Sequence, residues 1–151
     1  MDVAVSAPPR RHRLEPARPE HVGALVDLYE AFERERGVTV TAAERVNMGD
    51  AILASVFNPE TPIVVAVNGK KVVGFVWVSE RAMIMDRPAA HVRYLYVRPE
   101  YRGAVGYELQ RVIERWAHER DLKIAFQVAH GDVADWERRG YRVLAVIMME
   151  P

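Results

Sequence analysis

Between His91 and Val128 the chain reads strand, turn, helix, strand, and that order constrains the fold more than any other feature. His91–Val97 is apolar and aromatic and is ended by Pro99. Arg102, Gly103 and Gly106 then open a helix running from about Val105 to Arg120. Val105, Leu109, Val112, Ile113 and Trp116 line one stripe of it, and Glu108, Arg111, Glu114 and Arg115 the other. Leu122–Val128 follows as a second strand. A crossover helix between two strands implies that they pair in parallel. Upstream, Ile63–Val67 and Val72–Val78 are β-branched runs around Asn68-Gly69-Lys70-Lys71. Asn-Gly between such runs predicts an antiparallel hairpin, because both residues tolerate positive φ. Both kinds of pairing in one short chain predict a mixed-sheet α/β domain.

The other elements fit around this pair. Leu14–Ala17 is a short strand, and Pro19 suits a first helical position. Val22, Leu25, Val26, Tyr29 and Phe32 recur at helical spacing up to Gly37, with Glu30, Glu33, Arg34 and Glu35 on the other face. Thr41-Ala42-Ala43-Glu44 is a capping box for a second helix that Asn58-Pro59 stops. Met83–Pro88 reads as a loop, Val133–Arg139 as a short helix stopped by Gly140, and Tyr141–Met149 as a closing strand. Residues 1–12 read as an N-terminal arm. Pro8-Pro9 forbids regular structure there, and Arg10, Arg11 and Arg13 form a small basic cluster. Such an arm is either a solvated tail or a segment that docks on a neighbouring subunit. Residues 13–151 form a single domain, with no internal repeat or linker.

Composition narrows the function. A chain of 151 residues, half of them apolar, buries a core of its own. Lys plus Arg and Asp plus Glu number 21 each, which argues against a general electrostatic binder of nucleic acid or of an acidic membrane. Without cysteine there is no disulfide, thiol nucleophile or Cys-ligated zinc. Five scattered histidines show no metal-ligand spacing. No apolar run approaches the roughly 18 residues of a membrane span. The first residues lack the apolar stretch of a signal peptide, so cytoplasm is the default compartment.

The chemistry concentrates in Tyr94-Leu95-Tyr96-Val97-Arg98-Pro99-Glu100-Tyr101-Arg102-Gly103-Ala104-Val105-Gly106-Tyr107. Backbone N–H groups at a helix start are unpaired and carry the positive end of the dipole, which suits a phosphate. Taken alone, the two glycines also serve a tight connection, and Arg102 is also an ordinary surface cation. The stretch resembles the acetyl-CoA-binding motif of the GCN5-related N-acetyltransferases. In that family a strand ending in Val leads into x-Pro-x-x-Arg-Gly-x-Gly-x-Gly/Ala and a helix. Val97, Pro99, Tyr101, Arg102 and Gly103 match. Trp136-Glu137-Arg138-Arg139-Gly140-Tyr141 resembles the family's Tyr-Glu-Lys-x-Gly-Phe segment. The resemblance implies a mixed, mostly antiparallel sheet with a central parallel strand pair and flanking helices. It implies acetyl-CoA as cofactor, with pantetheine between Leu95–Val97 and a neighbouring strand near Phe126. The loop amides would hold the pyrophosphate. The cofactor residues it implies are Leu95, Tyr96, Val97, Arg102, Gly103, Ala104, Val105, Gly106 and Tyr107.

Two departures stand beside the matches. After Arg102-Gly103, an ungapped alignment puts Val105 and Tyr107 where the family has glycine or alanine. A one-residue deletion instead puts Ala104 and Gly106 there. Losing one amide bond to a charged group costs about 1.5–3 kcal/mol, or roughly 10- to 100-fold in affinity. The tyrosine that protonates the departing thiolate in many members is Trp136 here. An indole N–H is not a useful proton source near neutral pH, and Trp136 reads as packing against the last strand. Candidate bases are His91, Glu80 and His130. Substitute acids are Tyr94, Tyr96, Tyr101, Tyr107 and Tyr141, of which Tyr96 and Tyr107 lie nearest the expected cofactor path. Two functions follow: an N-acetyltransferase passing acetyl directly to an amine, or a catalytically inactive structural or assembly protein of the same fold. A virion or other large particle is one setting for the second.

Overall fold

The computed structural model describes residues 12–84, 86–126 and 132–143. One helix begins where side chains satisfy its free amides. Glu44 N donates to Thr41 Oγ1 at 3.1 Å and Thr41 N donates to Glu44 Oε2 at 3.4 Å, and α2 (Ala42–Val56) starts behind this reciprocal cap. Pro19 opens a single 3-10 turn, Pro19–His21, that runs into α1 (Val22–Glu35). Arg45 of α2 ties the two helices together, meeting Glu30 and, at 2.8 Å, Asp27 of α1.

The described strands form one sheet in the order β1 (His12–Pro16), β2 (Ile63–Asn68), β3 (Lys71–Ile84), β4 (Arg87–Val97) and β5 (Lys123–Phe126). Neighbours pair antiparallel except β4 and β5, which run parallel from Ala89↔Lys123 to Val92↔Phe126. The crossover between them is α3 (Ala104–His118). The mixed sheet with its parallel pair is therefore as the sequence predicts. A short α4 (Val133–Arg138) follows β5.

Three boundaries differ from expectation. The hairpin between β2 and β3 turns on Gly69-Lys70 rather than on Asn68-Gly69. Asn68 stays in the ladder opposite Lys71, and Gly69 alone takes positive φ, at 63°. Met83–Pro88 is not a loop. β3 continues to Ile84 and β4 begins at Arg87, with Asp86 at φ 60° on the tip. The sequence hides this because Pro88 sits where β4 has only β3 beside it, since β5 pairing begins at Ala89. His12 belongs to β1, opposite Asn68, and its ring meets Glu108 of α3. The rest of the proposed arm lies outside the described residues, as does the closing strand beyond Val143.

The sheet is buried on both faces, so β2 and the first part of β3 are nearly continuous apolar runs. Ile63, Val65, Val67, Phe75, Trp77, Tyr94 and Tyr96 pack under α1 and α2. Val64, Ala66, Val76, Val78, Ala90, Val92 and Val97 pack under α3 with Leu109 and Ile113. Ala90 and Val92 face α3, yet Tyr94 and Tyr96 face α1. The phase reverses because Arg93 is an extra residue: Trp77 pairs with Tyr94 and Val78 with Val92. Close approach of β3 to the end of β4 also needs Gly74. A Cβ there would lie 2.9 Å from the Tyr96 carbonyl oxygen.

Candidate active site

β4 ends at Val97, and Pro99–Tyr101 forms one 3-10 turn that reverses the chain. Gly103 then caps α3 with φ 113° and ψ −111°, a backbone shape that a Cβ disfavours. Tyr107 N reaches back to Gly103 O at 3.4 Å, so the amides of Ala104, Val105 and Gly106 precede the helical ladder. Side chains of the described residues leave this helix start open. Gly103 and Ala104 are exposed, and Val105 is 5% exposed because it points into the core under α3. A Cβ added at Gly106 would meet only Val97, at 3.7 Å. Tyr107 stands outward, 53% exposed, with the Arg111 guanidinium 5.8 Å from its ring.

Arg102 joins this loop to two other elements. Its Nε donates to the Val97 carbonyl at 2.9 Å, and its Nη2 donates to both Glu35 oxygens at 2.7 Å. The Tyr96 hydroxyl also donates to Glu35, at 3.2 Å, and the guanidinium carbon lies 5.5 Å from the Tyr96 ring. Burial first, and then the Glu35 carboxylate, push the Tyr96 phenol above its usual value. Glu35, the last residue of α1, is the site residue that sequence reading misses.

The edge of β4 facing away from β3 is equally informative. Arg98 N donates to Val73 O at 2.8 Å. Antiparallel alternation therefore puts the backbone groups of Tyr96 on the β3 edge and those of Leu95 and Val97 on the opposite edge. Among the described residues β5 pairs with β4 only as far as Val92. Leu95 and Val97 thus present backbone donors and acceptors beside the α3 start, with Val97 O shared with Arg102.

Two candidate bases form one pair. His91 Nδ1 lies 3.0 Å from Glu80 Oε1, across the β3–β4 ladder, and the His91 side chain is 17% exposed. His91 lies upstream of the Arg93 bulge, on the face opposite Ala90 and Val92. His130, the third candidate, lies outside the described residues. Among the substitute acids, Tyr94 is buried among Tyr29, Phe32, Phe75 and Trp77. Tyr141 donates to Glu114 at 2.7 Å, and burial, followed by that bond, pushes its phenol well up. Tyr101 lies on the reversing turn, 5.8 Å from the Lys71 ammonium. Trp136 of α4 packs on Phe126 at 4.4 Å and edge-on against Tyr141 at 5.3 Å. Its partners are thus β5 and the chain after α4.

A groove of about 460 Å³ along the outer face of α3 is lined by Arg111, Glu114, Arg115, His118 and Glu119. It is shallow, and its lining comes from α3 and the residue after it. Among the described residues no group of three acidic or histidine side chains is arranged to hold a metal ion. None of their helices is long and apolar enough to cross a membrane.

The fold recurs in solved structures. A predicted acetyltransferase from Clostridium acetobutylicum, solved with acetyl-CoA, superposes with a TM-score of 0.79 at 11% identity, covering 93% of this chain and 96% of its own. Glucosamine-6-phosphate N-acetyltransferase from Arabidopsis thaliana gives 0.71 at 13% identity, covering 93% and 98%. An aminoglycoside acetyltransferase from a soil metagenome, in complex with sisomicin, gives 0.68 at 15%, covering 93% and 95%. No curated protein sequence matches the chain. The family model for the acetyltransferase (GNAT) family matches residues 24–141, from α1 through the glycine-capped loop to Tyr141. The matched range spans β4, the reversing turn and the start of α3, and the chain belongs to the GNAT acetyltransferase family.

Proposed function

We propose that the protein is an acetyl-CoA-dependent N-acetyltransferase that passes the acetyl group directly to an amine. The observation that carries this reading is the start of α3. Gly103 at positive φ leads into the Ala104, Val105 and Gly106 amides, which precede the helical ladder, and Arg102 is the residue just before it. The family departures do not close the loop, because Val105 turns into the core and Tyr107 turns outward. The residues therefore fit the diphosphate of acetyl-CoA. The amides, the helix dipole and Arg102 would hold it. Leu95 and Val97 would offer backbone groups to the two amides of pantetheine. When bound, acetyl-CoA supplies an activated thioester.

His91 serves as the general base. With its Nδ1–H donated to Glu80, Nε2 is left as the proton acceptor. As the amine nitrogen bonds to the acetyl carbon, the carbon–sulfur bond breaks and the amine's proton passes to His91. Tyr96 is a poor acid because its proton is already committed to Glu35. A thiol titrates near 8.5, so the thiolate leaves without a strong acid. The matched family and its solved relatives lend no support to the assembly or virion alternative.

Acetyl-CoA is expected to raise the melting temperature. At 100 times the dissociation constant the gain is about 2.7 kcal/mol, or about 5–10 °C for a chain of this size. An unchanged melt at millimolar acetyl-CoA would overturn the reading. Gly103→Val tests the loop itself. Open space surrounds the new Cβ, so the cost there is conformational, about 1–3 kcal/mol at such a φ. Its relief re-aims the amides that follow. Acetyl-CoA binding should weaken about 10- to 100-fold by calorimetry. Wild-type affinity in this variant would show that these amides do not hold the ligand.

A further inference from the structure

We infer that Glu35 is a counter-ion that occupies Arg102 while the diphosphate site is empty and yields it when acetyl-CoA binds. This rests on the acetyl-CoA site proposed above and concerns its regulation. Three observations carry it. The carboxylate takes one face of the guanidinium with two 2.7 Å contacts from the same Nη2. Both partners are half-exposed, Arg102 at 49% and Glu35 at 42%, so the pair is one that a stronger anion can displace. Arg102 is also aimed without Glu35, because its Nε is fixed on the Val97 carbonyl, a contact internal to the strand and loop.

The third point decides the sign. A residue needed to aim Arg102 would help the cofactor bind. Glu35 duplicates an aim already set by Val97 and adds a negative charge beside the place of a diphosphate. Its net effect is competition. Displacement has a second consequence, because the Tyr96 hydroxyl donates to the same carboxylate. Acetyl-CoA binding therefore frees the end of α1 from the loop and leaves the Tyr96 hydroxyl as its tie to β4. The helix that lines the sheet face of His91 and Tyr94 thus responds to occupancy of the diphosphate site.

Glu35→Gln keeps the shape and an amide oxygen that accepts from Arg102 and Tyr96, and removes only the charge. Titrations of acetyl-CoA and of inorganic pyrophosphate, followed by calorimetry, test the exchange. The variant is expected to bind both about three- to five-fold more tightly than the wild type. The gain should shrink in 1 M salt, where charges are screened within about 3 Å. Tyr96→Phe removes the phenol's tie to Glu35 and keeps the charge, so it should give no such tightening. Equal or weaker binding by Glu35→Gln, with a wild type that binds acetyl-CoA, overturns the inference and leaves the proposed activity standing. Equal tightening by Tyr96→Phe overturns it too, since loosening of α1 would then be the cause. Absence of binding by both the wild type and Glu35→Gln overturns the acetyl-CoA site itself, and the inference with it.

Discussion

Replacing His91 by alanine is expected to lower turnover with an amine acceptor by about 100- to 10,000-fold, the range that a positioned general base contributes. Acetyl-CoA affinity should stay unchanged, because His91 is six residues upstream of Val97 and on the far side of the Arg93 bulge. The attacking amine nitrogen must lose a proton as its bond to the acetyl carbon forms. In the proposed mechanism Nε2 of His91 takes it, with Glu80 3.0 Å from the other ring nitrogen. The measurement is release of free coenzyme A thiol with an amine acceptor, beside calorimetry of acetyl-CoA binding. A variant with wild-type turnover would place the base elsewhere. One with both properties lost would report damage to the sheet.

Phe75→Ala should cost about 3–5 kcal/mol of folding stability. At roughly 2–4 °C per kcal/mol, the melting temperature falls by about 10 °C. Phe75 is 1% exposed at the centre of the layer under α1 and α2. It stacks on Tyr94 with centroids 6.3 Å apart, and it pairs with Tyr96 in the ladder. Rigid strands on either side leave the vacated volume little chance to collapse. A thermal melt or urea titration checks this, and a loss under about 1 kcal/mol would mean that the aromatic layer refills the space.

Much of this fold is legible in the sequence because its signals are local. The Thr41 and Glu44 cap, the stripe of α3 and the two β-branched runs each involve residues within one helix or one hairpin, and each is found where the pattern puts it. The outer halves of β3 and β4 were not legible. Glu80-Arg81-Ala82-Met83 and Arg87-Pro88 lack β-branched alternation, and only their mutual ladder makes them strands. The site divides along the same line. Arg102 and the glycine turn show themselves as a contiguous motif. Glu35 reads as one more acid on the polar face of α1, next to Glu33 and Glu30. Its meeting with Arg102, 67 positions away, depends on where α1 crosses the end of β4. No residue-level pattern encodes that crossing.

The extra residue at Arg93 makes β4 a strand with two reading frames. Upstream, even-numbered residues face α3; downstream, odd-numbered ones do. Deleting Arg93 would join the frames and leave Tyr94 and Tyr96 toward α1 and Leu95 and Val97 toward α3, whereas drawing Arg93 into the ladder would turn all four over in one step. Sequence change in this strand is therefore governed by parity. An alignment or a chimera junction that counts Arg93 as a ladder residue puts Tyr94 and Tyr96 on the wrong face of the sheet. The same error in the Gly69-Lys70 turn merely lengthens or shortens a loop.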